Sequence, residues 1–143
     1  MRGEIATAWA ALLGSPGGPA RVARGAAAGA FAAMIPVFGA HLLLAVACAV
    51  PLRGTKAAAV AMCLLLGNPA THAVILPLSY TIGSRVLPTP PAPREDWLPA
   101  WVSDALPIAE ETLAGGVLLG LAAGPLAFLL VRAALRGAGR DGP

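Results

Sequence analysis

Charge is what this chain mostly lacks. Only 12% of its 143 residues are Asp, Glu, Lys or Arg, about half of the ~25% usual in soluble domains. Hydrophobic residues make up 57%, and the mean hydropathy is +0.75. A chain this short has too much surface for its volume to hide so much apolar material. That excludes an ordinary soluble domain and intrinsic disorder, and leaves lipid as the solvent. Side chains that do chemistry are equally scarce, with two histidines and two cysteines in all. There is no phosphate loop, dinucleotide fingerprint or metal-ligand cluster. Ser15 and Ser103 have no base at a readable spacing. The sequence therefore predicts no enzyme, no cofactor and no metal site. Cys48 and Cys63 lie inside apolar runs and read as small buried hydrophobes. The net charge of +3 comes from basic residues that flank apolar runs, which points to membrane anchoring and away from nucleic acid.

What is present is apolar length, with breaks in it. Residues 25–52, 57–84 and 112–131 contain no Asp, Glu, Lys or Arg. The third has the length of one transmembrane helix, about 20 residues for a ~30 Å hydrocarbon core. The first two are too long for one straight span, and both are interrupted near the middle. The first carries Pro36, Gly39 and His41; the second carries Gly67, Asn68, Pro69, Thr71 and His72. Gly67 can stop a helix. Asn68 can cap the next one, with Pro69 in its first turn, where no N–H is needed. A helix starting at such a break leaves backbone N–H groups free. Those groups must face protein, water or a ligand, because hydrocarbon offers no partner. Apolar half, Pro-bearing break, His, apolar half recurs in both segments, a weak internal repeat of the kind built into transporters.

Charge sets the expected topology. Arg21 and Arg24 precede the first segment, Arg53 and Lys56 follow it, and Arg132, Arg136 and Arg140 follow the third. With positive residues inside, both termini and the 53–56 turn are cytoplasmic. The first segment then enters and leaves on one side as a re-entrant hairpin, the second crosses outward and the third returns. The connector between them is rich in proline and acid. Trp97 and Trp101 within it suit a short helix at headgroup level. Ile5, Trp9, Leu12 and Leu13 share one helical face and predict a surface helix. Gly25 and Gly29 in the first segment, and Gly116, Gly120 and Gly124 in the third, recur every four residues. In lipid this spacing lets backbones approach closely.

His41 and His72 have two readings. They could meet at mid-membrane and bind a proton, an anion or a metal, or each could satisfy loose carbonyls at its own break. Asn68 and Thr71 divide in the same way, between a structural cap and an anion-friendly site at a helix start. Glu110 and Glu111 read as flanks that favour the N-terminus of the third helix.

The ordered motifs Gly14-Ser15-Pro16, Ala28-Gly29-x-Phe31, Ile35-Pro36-x-x-Gly39, Gly67-Asn68-Pro69-x-Thr71 and Pro77-Leu78-x-Tyr80-x-x-Gly83 resemble a bacterial membrane family, domain of unknown function 2062 (DUF2062). The resemblance covers about half of the chain. Arg53-Gly54-Thr55 departs from it, since family members often carry Asn after that Arg; Thr55 could still cap the following helix. The resemblance implies a small bacterial inner-membrane protein and no particular activity. In some members a similar domain is joined to a glycosyltransferase-like domain, which hints at envelope or polysaccharide work.

The expected fold is all-α and integral to the membrane, as a single domain. An amphipathic segment over residues 1–20 leads into a core at 21–87 with two broken segments. A connector at 88–111 with an interfacial helix follows, then a transmembrane helix and basic tail at 112–136. The leading functional expectation is a transporter-like or lipid- and small-anion-handling module in the bacterial inner membrane. Pro36, Gly39, His41, Asn68, Pro69, Thr71 and His72 would form its polar mid-membrane site, membrane lipids would be its surroundings, and a homo-oligomer would enclose the path. The alternative is a non-catalytic anchor or assembly subunit for a partner of envelope biosynthesis. In that case the glycine faces and basic ends would be the working surfaces.

Overall fold

Small side chains decide the architecture. The computed structural model describes residues 18–37, 39–87, 97 and 99–138. The surface helix expected over residues 5–13, most of the Pro-rich connector and Arg140 lie outside them. Five helices follow one another: α1 Gly18–Met34, α2 His41–Ala49, α3 Lys56–Leu66, α4 Pro69–Val86 and α5 Ala100–Ala138. No strand occurs among the described residues.

α1 consists mostly of Ala and Gly. Ala is the best helix former, while each Gly costs about 1 kcal/mol. Packing is what offsets that cost, because α1 touches α2, α3 and α5 at once. The two glycine rows serve different neighbours. Gly25 and Gly29 lie against the backbone of Thr55 and Ala59 at the start of α3, and a Cβ on Gly29 would sit 2.1 Å from the Ala59 carbonyl oxygen. Gly116, Gly120 and Gly124 of α5 lie against Met34 and Pro36, Phe31, and Ala27 respectively. α5 therefore runs antiparallel to α1.

α1 and α2 form a hairpin. The chain reverses over residues 35–40, with Gly39 at φ +84. Ala45 and Ala49 of α2 then pack with Ala28, Ala32 and Ala33 of α1 and with Ala59 and Cys63 of α3. α2 closes in a Schellman turn, where the Arg53 N–H donates to the Val50 carbonyl at 3.0 Å and the Gly54 N–H to the Ala49 carbonyl at 2.9 Å. Arg53 takes the left-handed position at φ 51. The Thr55 N–H donates to the Arg21 carbonyl at 3.1 Å, so the chain is back beside the first turns of α1. Thr55 stands at the N-cap of α3, but its hydroxyl makes no capping bond. A capping role for that side chain is thus corrected.

α3 climbs alongside α1 and then bends by 80° into α4 at Gly67 and Asn68. α4 continues through Pro77 and packs on α5 at a very close crossing. A Cβ on Gly83 would lie 1.6 Å from the Glu111 carbonyl oxygen, and one on Gly115 would lie 1.8 Å from that of Ser79. α5 is one helix of 39 residues, about 58 Å long at 1.5 Å per residue. The separate interfacial helix is corrected: residues from Ala100 onward already belong to α5, which passes through both Pro107 and Pro125. Glu110 and Glu111 therefore lie inside a helix and do not flank its start. Glu111 is buried, 8% exposed, beside the Gly83 crossing. Trp97 and Trp101 are exposed, at 77% and 73%.

α5 is long and apolar enough to cross a membrane, with an 18-residue window of mean hydropathy 2.1, and the bent pair α3–α4 is apolar enough together to be either a broken span or a re-entrant loop. Val22, Ala58 and Leu135 pack together. That contact gathers Arg21, Arg24, Arg53, Lys56, Arg132 and Arg136 at one end of the bundle, whereas Asp104, Glu110 and Glu111 lie toward the other end of α5.

The α4–α5 crossing yields a stability prediction. Gly83→Ala must push two backbones apart and should destabilise the protein by about 2–3 kcal/mol, as overpacking does. Gly137→Ala, with nothing within 4 Å of its Cβ, should be neutral or stabilise by up to about 1 kcal/mol. Thermal unfolding of both variants in one detergent measures the difference.

Candidate functional site

The second break is built around Asn68. Its backbone is extended, and its side-chain Oδ1 accepts from the N–H groups of Ala70 at 3.0 Å and Thr71 at 3.1 Å. Its Nδ2 donates back to the Leu65 carbonyl at 2.9 Å. The Thr71 hydroxyl donates to the Leu66 carbonyl and lies 2.8 Å from the Asn68 carbonyl. The His72 N–H donates to that same carbonyl at 3.0 Å. Pro69 has no N–H to satisfy. One Asn and one Thr thus serve loose donors of α4 and loose acceptors of α3 together. The expectation of free N–H groups offered to an anion is corrected: in the first turn of α4 those donors already have partners within the chain. Asn68 and Thr71 bind the two half-helices to each other.

The first break is built differently. The N–H of Val37 donates to the Ile35 carbonyl at 2.8 Å, that of Ala40 to Val37 at 3.1 Å and that of Leu44 to Ala40 at 2.9 Å. No side chain caps α2. Gly39 is exposed, with open space where a Cβ would stand, so its backbone conformation alone selects glycine there. Pro36 packs on α5, with its Cδ 2.8 Å from a Cβ built on Gly116.

The two breaks meet. The rings of His41 and His72 are edge to face, with centroids 5.2 Å apart and planes at 84°. His72 is buried, and the Nε2 atoms of both rings are shut off from solvent. His72 Nδ1 lies 3.1 Å from the Asn68 carbonyl. A carbonyl only accepts, so Nδ1 carries a proton, and in the neutral ring Nε2 is left as the acceptor. Among the described residues no group of three or more His, Cys, Asp or Glu is placed to hold a metal ion. The reading in which a histidine serves a carbonyl of its own break is met at His72. The pair also forms a shared polar contact.

The depth of this cluster differs from expectation. Pro36 lies level with Gly116, only about 6 Å along α5 from Thr112, where the uncharged run begins, and about 22 Å from its other end at Val131. The cluster sits toward the acidic end of the run instead of at its middle. Beside it an apolar cleft of about 450 Å³ opens between Pro36, Val37 and Leu76 on one side and Ile108 and Thr112 on the other.

Sequence reasoning missed the Ser79–Gly83 and Glu111–Gly115 crossing. The available signal was a glycine four residues after each of two polar residues that become buried. The glycine rows, which the anchor alternative would use as working surfaces, lie against neighbours within the chain.

The chain belongs to the DUF2062 family, described as an uncharacterized protein conserved in bacteria, whose pattern matches residues 5–141. No curated protein matches the chain, and no solved structure does.

Removing the cap tests the role of Asn68. Asn68→Ala should lower stability by about 1–2 kcal/mol, because two N–H groups lose their acceptor. Asn68→Asp, which keeps the acceptor, should recover about half of the loss. Circular dichroism melts of purified variants measure both.

Proposed function

We propose that this DUF2062 chain is a non-catalytic, lipid-handling module of the bacterial inner membrane. It is multi-pass, with both termini and the 53–56 turn in the cytoplasm. α1 and α2 re-enter from that side, the bent α3–α4 pair crosses, and α5 returns. The gathering of six basic residues at one end of the bundle supports this topology by the positive-inside rule.

One observation carries the lipid-handling reading: the two helix breaks converge on a single polar contact, His41 with His72, and Pro36 and Val37 of the first break line an open apolar cleft. A helix break that holds a polar contact and also lines an apolar cleft offers both kinds of surroundings that an amphipathic lipid needs as it changes depth. The cluster lies near one edge of the apolar band, which suits contact with headgroups better than a solute path through the middle. The working form in this reading is a homo-oligomer or a lipid-exposed cleft. The anchor or assembly reading is less favoured, because the glycine rows it would use are already packed against neighbours within the chain.

The test is reconstitution into liposomes with parallel lipid-translocation and solute-flux assays. Lipid translocation above empty vesicles is expected, with a loss of at least about tenfold in His41→Ala/His72→Ala and no solute flux. Equal lipid rates in protein-containing and empty vesicles would contradict the proposal.

A further inference from the structure

A second groove lies away from the histidines. It has a volume of about 590 Å³ and runs between α1 and α5, floored by Ala27, Phe31, Gly120, Gly124 and Phe128, with Arg24 at its basic end. Phe31 occupies the place of a Cβ at Gly120, whereas at Gly124 the nearest atom, the Ala27 carbonyl oxygen, would stand 3.3 Å from one. Along α5 it extends from Gly120 to Phe128, about 12 Å at 1.5 Å per residue. It is parallel to the helices, as an acyl chain in a bilayer is.

The lining of the groove is apolar, and basic side chains stand at one end of it. Arg24 lines it, and the Arg132 guanidinium lies over the Phe128 ring, 5.6 Å from its centroid. Among the described residues, the Nε atoms of Arg24 and Arg132 are both buried and lack a hydrogen-bond acceptor. A buried guanidinium nitrogen without an acceptor is costly. Two such nitrogens, one on a side chain that lines the groove and one on the guanidinium over Phe128, are what a phosphate would satisfy, since guanidinium and phosphate pair with strong, directed hydrogen bonds. No carboxylate lines the groove. The acids of α5, Asp104, Glu110 and Glu111, lie at its opposite end.

We propose that this groove holds one anionic phospholipid, with its phosphate between Arg24 and Arg132 and an acyl chain reaching toward Phe31 and Gly120. The inference rests on the membrane reading above and does not depend on lipid translocation. The site lies at the cytoplasmic end, away from the break cluster, and it fixes where the module meets the inner leaflet.

Native mass spectrometry of the full chain, purified in a mild detergent, tests it. Phosphatidylglycerol, phosphatidylcholine of the same chains and inorganic phosphate are added separately. A retained phosphatidylglycerol adduct is expected, with phosphatidylcholine about tenfold weaker and inorganic phosphate not retained. Arg24→Gln should weaken the adduct about tenfold by removing a charge-assisted contact. Ala27→Phe should weaken it by a similar factor while leaving every charge in place, so a loss in both variants with unchanged melting points supports the site. Equal adducts for the two lipids, or adducts unchanged in both variants, overturn it and leave the groove to the N-terminal segment or to a second copy. Retention of inorganic phosphate as strong as that of phosphatidylglycerol overturns the acyl-chain part. A chain that stays monodisperse without detergent would overturn the membrane reading on which the site stands.

Discussion

The structure depends on how little side chain α1 carries. A helix of Ala and Gly can be touched by three others at backbone distance, and α1 is touched by α2, α3 and α5. In lipid there is no hydrophobic gain from bringing apolar helices together, so close packing supplies the attraction. Gly25 and Gly29 admit α3, and Gly54 lies close against the backbone of Arg24 and Gly25. These contacts hold the end of the α1–α2 hairpin beside its beginning. The gathering of basic residues at one end follows from that closure. Charge then orients what packing has built.

The two breaks illustrate a second constraint, which is that peptide groups at helix ends inside apolar surroundings need partners from the chain itself. At the second break Asn68 and Thr71 meet this need almost completely. The site thereby loses its backbone as a ligand-binding element and keeps its histidines. His41 and His72 come from segments thirty residues apart, and only the hairpin and the 80° bend bring their rings to 5.2 Å. What the two breaks hold between them is a side-chain contact, and the first of them also lines an apolar cleft.

Much of this was legible in the sequence, and the boundary is physical. Cap grammar is local, so Gly67-Asn68-Pro69 announced a helix end and a helix start, and both are there. Glycine spacing announced close approach, and the rows at Gly25 and Gly116 do pack backbone to backbone. The identity of each neighbour was not legible, because that depends on pairings distant along the chain. Gly83 and Gly115 stand out only once α4 lies across α5. The start of α5 at Ala100 was missed because the charges at Asp104, Glu110 and Glu111 suggested a connector, while nothing among residues 100–111 ends a helix. Arg24 reads in the sequence as a simple flank, and only the fold brings it into one groove with Phe128, over whose ring Arg132 lies.

The hairpin is the claim on which the topology, the lipid contact and the siting of the breaks all rest, and side-specific labelling addresses it directly. Lys56, exposed at the start of α3, is replaced by Cys in a chain whose Cys48 and Cys63 are Ala. Intact cells and inverted membrane vesicles are then treated with a membrane-impermeant maleimide. Labelling only in inverted vesicles, with a C-terminal tag also exposed there, is the predicted result. Labelling of that Cys in intact cells would mean that the first segment crosses the bilayer, and would contradict the account.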